Sequence, residues 1–180
     1  MADTKTDMLP ICLPVLPLRG VVMFPQTILN LDVAREKSAR AIEHAMKHNR
    51  KIFIVAQKDV QQEDPSFSDL YRVGVVAEIQ QVVRARNEKL RIMVEGLYRA
   101  AISDEVTDFL AEVTELPYRG LRTGSTDKMN ALMRTVKDLY ERYCELSPKM
   151  SKDLIPNAML TDDAVYLVDY IGGNMILAPD

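Results

Sequence analysis

The clearest pattern in the chain is an alternation of apolar and polar residues from Gly74 to Arg84. Val75, Ala77, Ile79 and Val83 share one face of a strand there, and Glu78, Gln80 and Arg84 share the other. Ala85 to Glu88 makes a turn, and Leu90 to Glu95 returns with Leu90, Ile92 and Val94 inward and Arg91, Met93 and Glu95 outward. This predicts a hairpin. Met93 is then an apolar side chain on a polar face, and Val82 falls on the matching outer face of the partner strand. Val15 to Leu18 and Thr27 to Val33 also read as strands. So does Lys51 to Gln57 (KIFIVAQ), which is apolar on both faces and therefore central. Tyr98 to Ser103 and Ala111 to Leu116 supply two more. Between these strands, Ala34 to His48 changes period. Ser38, Ile42, Ala45 and Met46 lie on one face, with Arg35, Arg40, Glu43 and Lys47 away from it, as expected of an amphipathic helix against a sheet.

The stretch Leu13 to Asp32 is rich in aliphatic residues but interrupted by Pro14, Pro17 and Pro25. Proline cannot donate to a strand ladder, so these positions belong at an edge, a bend or a strand start. Val21-Val22-Met23-Phe24-Pro25 is read as an apolar ridge after a glycine turn, a candidate for contact with other proteins.

Beyond residue 118 the pattern is helical. Arg119 to Thr126 (RGLRTGST) is a linker, and Ser125, Thr126 or Asp127 caps a helix from Lys128 to about Leu146. Its apolar stripe is Met129, Leu132, Met133, Val136, Leu139, Tyr140 and Tyr143. A short helical piece at Ser151 to Ile155 is expected to end at Pro156. Thr161 is expected to cap a last helix, buried through Ala164, Leu167, Val168 and Ile171 and closed by Gly172-Gly173. The expected fold class is α+β: a flexible leader (1–12), a β-rich, mostly antiparallel sheet with one helix (13–118), a linker (119–127) and a helical bundle (128–180), which looks cut short.

Composition narrows the functions open to such a fold. The 180 residues carry a net charge of −3, which gives no electrostatic reason to expect nucleic acid or an anionic membrane as partner. No apolar run reaches a membrane span, and the first nine residues lack the form of a signal peptide. Cys12 and Cys144 read as reduced thiols of a cytoplasmic protein. The seven glycines are scattered, with none placed before Lys-Ser or Lys-Thr as a phosphate-binding loop requires. His44 and His48 are spaced as metal ligands on a helix, but Arg40 and Lys47 share their face and no third ligand is near, so no metal is expected. Ser125 and Lys128 match the spacing of a serine activated by lysine, at a helix start where Ser, Thr and Asp are expected simply as caps. No catalytic residue is assigned. The apolar groups without a core role, Met93, Val82 and the Met23-Phe24-Pro25 ridge, form the candidate site, suited to extended apolar polypeptide.

Several stretches together resemble a known family, the amino-terminal domain of the bacterial Lon ATP-dependent protease. They are LPVLPLRGVVMFP (Leu13 to Pro25), VAREKSARAIEHAM (Val33 to Met46), IFIVAQKD (Ile52 to Asp59), DLYRVGVVAEIQQ (Asp69 to Gln81) and LRIMVEGLYRA (Leu90 to Ala100), in the family's order and spacing. The hairpin turn departs from it, with Arg86-Asn87-Glu88 where the family often has Asp-Gly. The resemblance implies a PUA-like fold, similar to the Lon-like domain of cereblon, a ubiquitin-ligase substrate receptor. It also implies recognition of unfolded, damaged or degron-bearing proteins and self-association within a hexamer. ATP and magnesium would belong to the parent protease, with no cofactor in this chain. Two rival readings stand beside it: the resemblance also admits a stand-alone Lon-like domain protein acting as an adaptor or scaffold, and the residues admit a small hydrolase using Ser125 and Lys128 or the histidine pair.

Overall fold

The structure, a computed structural model, describes residues 9–84, 90–117 and 126–175. The expected hairpin turn at 85–88, most of the leader, the linker at 119–125 and the last five residues lie outside them. Contacts divide the chain into two units, Met1–Pro117 and Tyr118–Asp180.

The first unit contains β1 (Ile11–Leu18), β2 (Ile28–Val33), α1 (Glu36–Lys47), β3 (Lys51–Ala56), β4 (Val73–Arg84), β5 (Leu90–Glu105) and β6 (Leu110–Glu115). The strands lie in the order β2-β5-β4-β3-β1-β6, and β5 pairs with β6 as well. The sheet thus closes on itself. Closure depends on the length of β5, which continues through Gly96 where the sequence pattern suggested two separate strands. Its edge opposite β4 holds β2 along Leu90–Glu95 and then β6 along Ala100–Glu105. The β1–β3 pairing is parallel and the others are antiparallel. A closed sheet leaves few strand edges for unwanted pairing.

Two cores lie on the two sides of β3. Ile52 and Ile54 pack in one with Leu16, Val75, Ile79, Ile92, Val94 and the α1 residues Ala41, Ile42 and Ala45. Phe53 and Val55 pack in the other with Leu13, Val15, Val76, Ala100 and Val113. Each such fully buried aliphatic side chain contributes roughly 1.5–3 kcal/mol relative to exposure. The buried stripe of α1 is Ser38, Ala41, Ile42 and Ala45, spaced i, i+3, i+4, i+7; Met46 falls beyond its edge and is exposed.

One irregularity alters the hairpin faces. Ile79 pairs with Val94, but the next partners are Gln81 with Met93 and Val82 with Ile92, so β4 holds one extra residue. Such a bulge inverts the parity of everything after it. Val82 therefore turns inward against the core, and Val83, expected inside, is 47% exposed.

The second unit consists of α2 (Thr126–Leu146), a 3-10 turn (Lys152–Leu154), α3 (Ile155–Leu160) and α4 (Ala164–Asn174). Met133, Tyr140, Cys144, Met150, Ala158 and Leu167 form its core, while Leu132, Val136, Leu139 and Val168 are exposed. Pro156 starts α3 instead of ending a helix, because the first turn needs no intrahelical N–H. Lys137 Nζ donates to the carbonyls of Met159 (2.9 Å) and Thr161 (2.6 Å), closing the end of α3. Asp163 caps α4, accepting from the Val165 and Tyr166 amides at 2.8 and 3.2 Å, and α4 runs through both glycines. Thr161 instead accepts from the Asp163 amide.

Candidate functional site

The ridge is shaped by two left-handed residues, Gly20 (φ +67°) and Gln26 (φ +58°), which bracket it. The segment between them folds back, so its side chains divide. Met23 (6% exposed) and Pro25 are buried, Phe24 is half-buried, and Val21 and Val22 (63%) face solvent. Backbone bonds hold it: the Gln26 N–H donates to the Gly96 carbonyl (2.8 Å), and the Gly96 N–H donates to Thr27 (2.9 Å). Thr27 Oγ1 donates to the Phe24 carbonyl at 2.6 Å. A Cβ at Gly96 would lie 2.5 Å from the Phe24 carbonyl oxygen, so the ridge reaches β5 only because position 96 has no side chain.

Beside the ridge lies a groove of about 380 Å³, lined by Val22, Phe24, Tyr71, Val73 and Arg99 over a floor of Ile54–Ala56 and Gly74. Val22, Tyr71 and Val73 are each more than half exposed. The Arg99 guanidinium lies 5.7 Å from the centre of the Phe24 ring, a cation–π contact that orients the ring at the groove wall. Gly74 lets β3 and β4 approach: a Cβ there would meet the Ile54 carbonyl oxygen at 2.4 Å and Phe53 Cζ at 2.7 Å. The lining is mainly apolar, with two cations, Arg72 and Arg99, so the groove suits an extended, largely apolar segment.

The five residues expected at the site do not converge. Met23 and Phe24 line the groove, Met23 from within the core. Pro25 is buried by the fold-back of the ridge, and Val82 is turned into the core by the bulge. Met93 does lie on the outer sheet face, half-buried between its register partners Asn30 and Gln81, and is not part of the groove. Sequence reasoning missed Tyr71, Val73 and Arg99. Parity with Val75 puts Val73 inside, but β3 pairs with β4 only as far as Ile54↔Val75, which leaves Val73 uncovered.

The other chemical candidates resolve as follows. The His44 and His48 rings lie 4.2 Å apart between centroids, with His48 Nδ1 2.7 Å from the His44 carbonyl oxygen. Burial, then His48 and Lys47, hold the His44 imidazole below its ordinary pKa. Among the described residues no group of three His, Cys, Asp or Glu side chains is placed to hold a metal ion. Ser125 lies outside the described residues. Among them no helix is long and apolar enough to cross a membrane.

The architecture, a closed mixed sheet with one helix followed by a helical unit, is that of Lon N-terminal domains. The solved N-terminal domain of Mycobacterium avium complex Lon protease matches over 93% of this chain and 85% of its own, with a TM-score of 0.71 at 22% identity. The chain belongs to the Lon family: the model for the ATP-dependent protease La (LON) substrate-binding domain matches residues 12–180. It is 36% identical to the Lon protease of Syntrophomonas wolfei over 92% of this chain and 20% of that protein. Against the Lon protease of Escherichia coli K12 it is 37% identical, over 92% and 21%. The chain thus spans about a fifth of the relatives it matches, and the part matched is the substrate-binding, non-catalytic domain.

Proposed function

We propose that this domain captures exposed apolar segments of unfolded, damaged or degron-bearing proteins for an ATP-dependent serine protease of the Lon type. The observation that carries this reading is the contiguous exposure of Val22, Tyr71 and Val73 around Phe24 in one groove. A folded protein hides such segments and an unfolded one presents them, so apolar complementarity alone separates the two. Met23 and Pro25 support the ridge from below. Met93 and Val82 are the proposed outlying positions, Met93 as a secondary contact on the sheet face and Val82 through its support of that sheet. In the parent protein, ATP and magnesium would act in a separate motor, a hexamer would present several grooves at once, and the setting would be cytoplasmic quality control. Multiple copies would raise a weak single-site affinity through effective concentration.

The test is the affinity of a fluorescent, chemically unfolded polypeptide for the chain and for its Val22→Asp variant. A loss of about tenfold with an unchanged melting temperature is expected, because a charge in the groove must be desolvated on binding. Equal affinities would remove the groove from the account.

A further inference from the structure

The groove beside Phe24 differs in charge from other grooves of the β-rich unit. Those carry acids of their own: Asp32 in one along β1 and β2, Asp64 and Asp108 in one beside α1, and Asp104 and Glu105 in one on the far side of Tyr71. The Phe24 groove is lined by Arg72 and Arg99 and, among the described residues, by no carboxylate. That imbalance runs against the chain as a whole, which has 26 Asp and Glu against 23 Lys and Arg.

The two cations stand at separate points along the β4–β5 ladder. Val75 pairs with Arg99, and three rungs further the Ile102 N–H donates to the Arg72 carbonyl at 2.9 Å. At a strand rise of about 3.3 Å per residue, the two positions are roughly 10 Å apart, with Val73 between them. The Arg99 guanidinium lies over the Phe24 ring at 5.7 Å, and Arg72 Nη2 donates to the Ile102 carbonyl at 3.3 Å. Arg72 is exposed and also borders the groove of Asp104 and Glu105, yet forms no salt bridge among the described residues. A guanidinium has five donors, so one bond to a carbonyl leaves others to meet a carboxylate in its paired geometry.

We infer that this groove selects, among apolar segments, those flanked by acidic side chains, with Arg72 holding a carboxylate and Arg99 adding to the positive field. The inference rests on the proposed capture of unfolded polypeptide and names which segments are preferred. An extended segment spans the distance between the two cations in about three residues, so a short apolar run with Asp or Glu on both sides meets both. Lysine at the same places would set like charges against each other. A side-chain carboxylate is favoured over a chain-terminal one because cations stand at two points along the groove, and a polypeptide has a single carboxyl end. The chain's net charge of −3 repels acidic peptides at long range, so a preference for them reports local contacts.

The test is fluorescence anisotropy with labelled peptides of one apolar core, blocked at both ends and carrying Asp, Asn or Lys on both sides of it. The Asp peptide is expected to bind about threefold tighter than the Asn peptide and about tenfold tighter than the Lys peptide, with both ratios shrinking as salt is raised. Arg72→Gln, at an exposed position, should bring the Asp-to-Lys ratio below about threefold without lowering the melting temperature. A free carboxyl end on the Asn peptide should add less affinity than the Asp pair; if it adds as much, the groove reads chain ends and the side-chain assignment falls. Equal affinities for the three blocked peptides, or an unchanged ratio in Arg72→Gln, would overturn the inference while leaving capture of apolar segments intact. Binding of none of them, the Asn peptide included, would remove the capture reading and this inference with it.

Discussion

The β-rich unit carries apolar side chains in two contrasting settings. On the outer sheet face, Met93 lies between Asn30 and Gln81, with the Asp32–Arg91 pair and the Gln80–Glu95 hydrogen bond (2.9 Å) close by. Around Phe24, by contrast, Val22, Tyr71 and Val73 are contiguous across a concave surface. A single apolar group among polar ones is ordinary on protein surfaces, whereas a continuous apolar concavity is not. The difference teaches that strand parity finds outward apolar residues but cannot tell which of them share a surface.

The sharpest way to break the contrast is to remove the groove floor. Gly74→Ala places a Cβ against the Ile54 carbonyl and the Phe53 ring, and backbone cannot move aside as a flexible side chain could. A loss of about 3 kcal/mol in urea denaturation is expected, with capture of unfolded protein falling in parallel. Gly96→Ala acts one step further away, pushing the Phe24 carbonyl and so the ridge. It should cost about 2 kcal/mol and weaken capture more than its stability loss explains. Tyr71→Ser removes a groove wall without touching the core. It should reduce affinity for unfolded polypeptide several-fold, roughly 1 kcal/mol, and leave the denaturation midpoint within error. Met93→Ser should change affinity and stability least, each by about 0.5 kcal/mol or less, read from the same two assays. If Met93→Ser impaired capture more than Tyr71→Ser, the contrast would be reversed.

Much of the fold is legible where local pattern and tertiary packing agree. The KIFIVAQ run is apolar on both faces because both cores meet on β3. Leu90, Ile92 and Val94 alternate because the first half of β5 is regular. Legibility ends where backbone geometry departs from the repeat. Nothing in the run Ile79-Gln80-Gln81-Val82 marks a bulge, since any of its residues suits a regular strand, and so parity alone puts Val82 on the outer face. At the ridge, Gly20 signals one left-handed position but Gln26 does not signal the second. The division into exposed Val22 and buried Met23 was therefore hidden. Tyr71 and Val73 join the site through the early end of the β3–β4 pairing, a non-local event with no trace in their own neighbourhood.

The central claim is that the groove around Phe24 distinguishes unfolded from folded protein. The most direct measurement is an amide-resonance titration of this chain with a chemically unfolded protein and with the same protein in its folded form. Shifts largest at Val22, Phe24, Tyr71, Val73 and their neighbours, seen with the unfolded form alone, are the predicted result. Shifts centred elsewhere, or equal shifts with both forms, would contradict it.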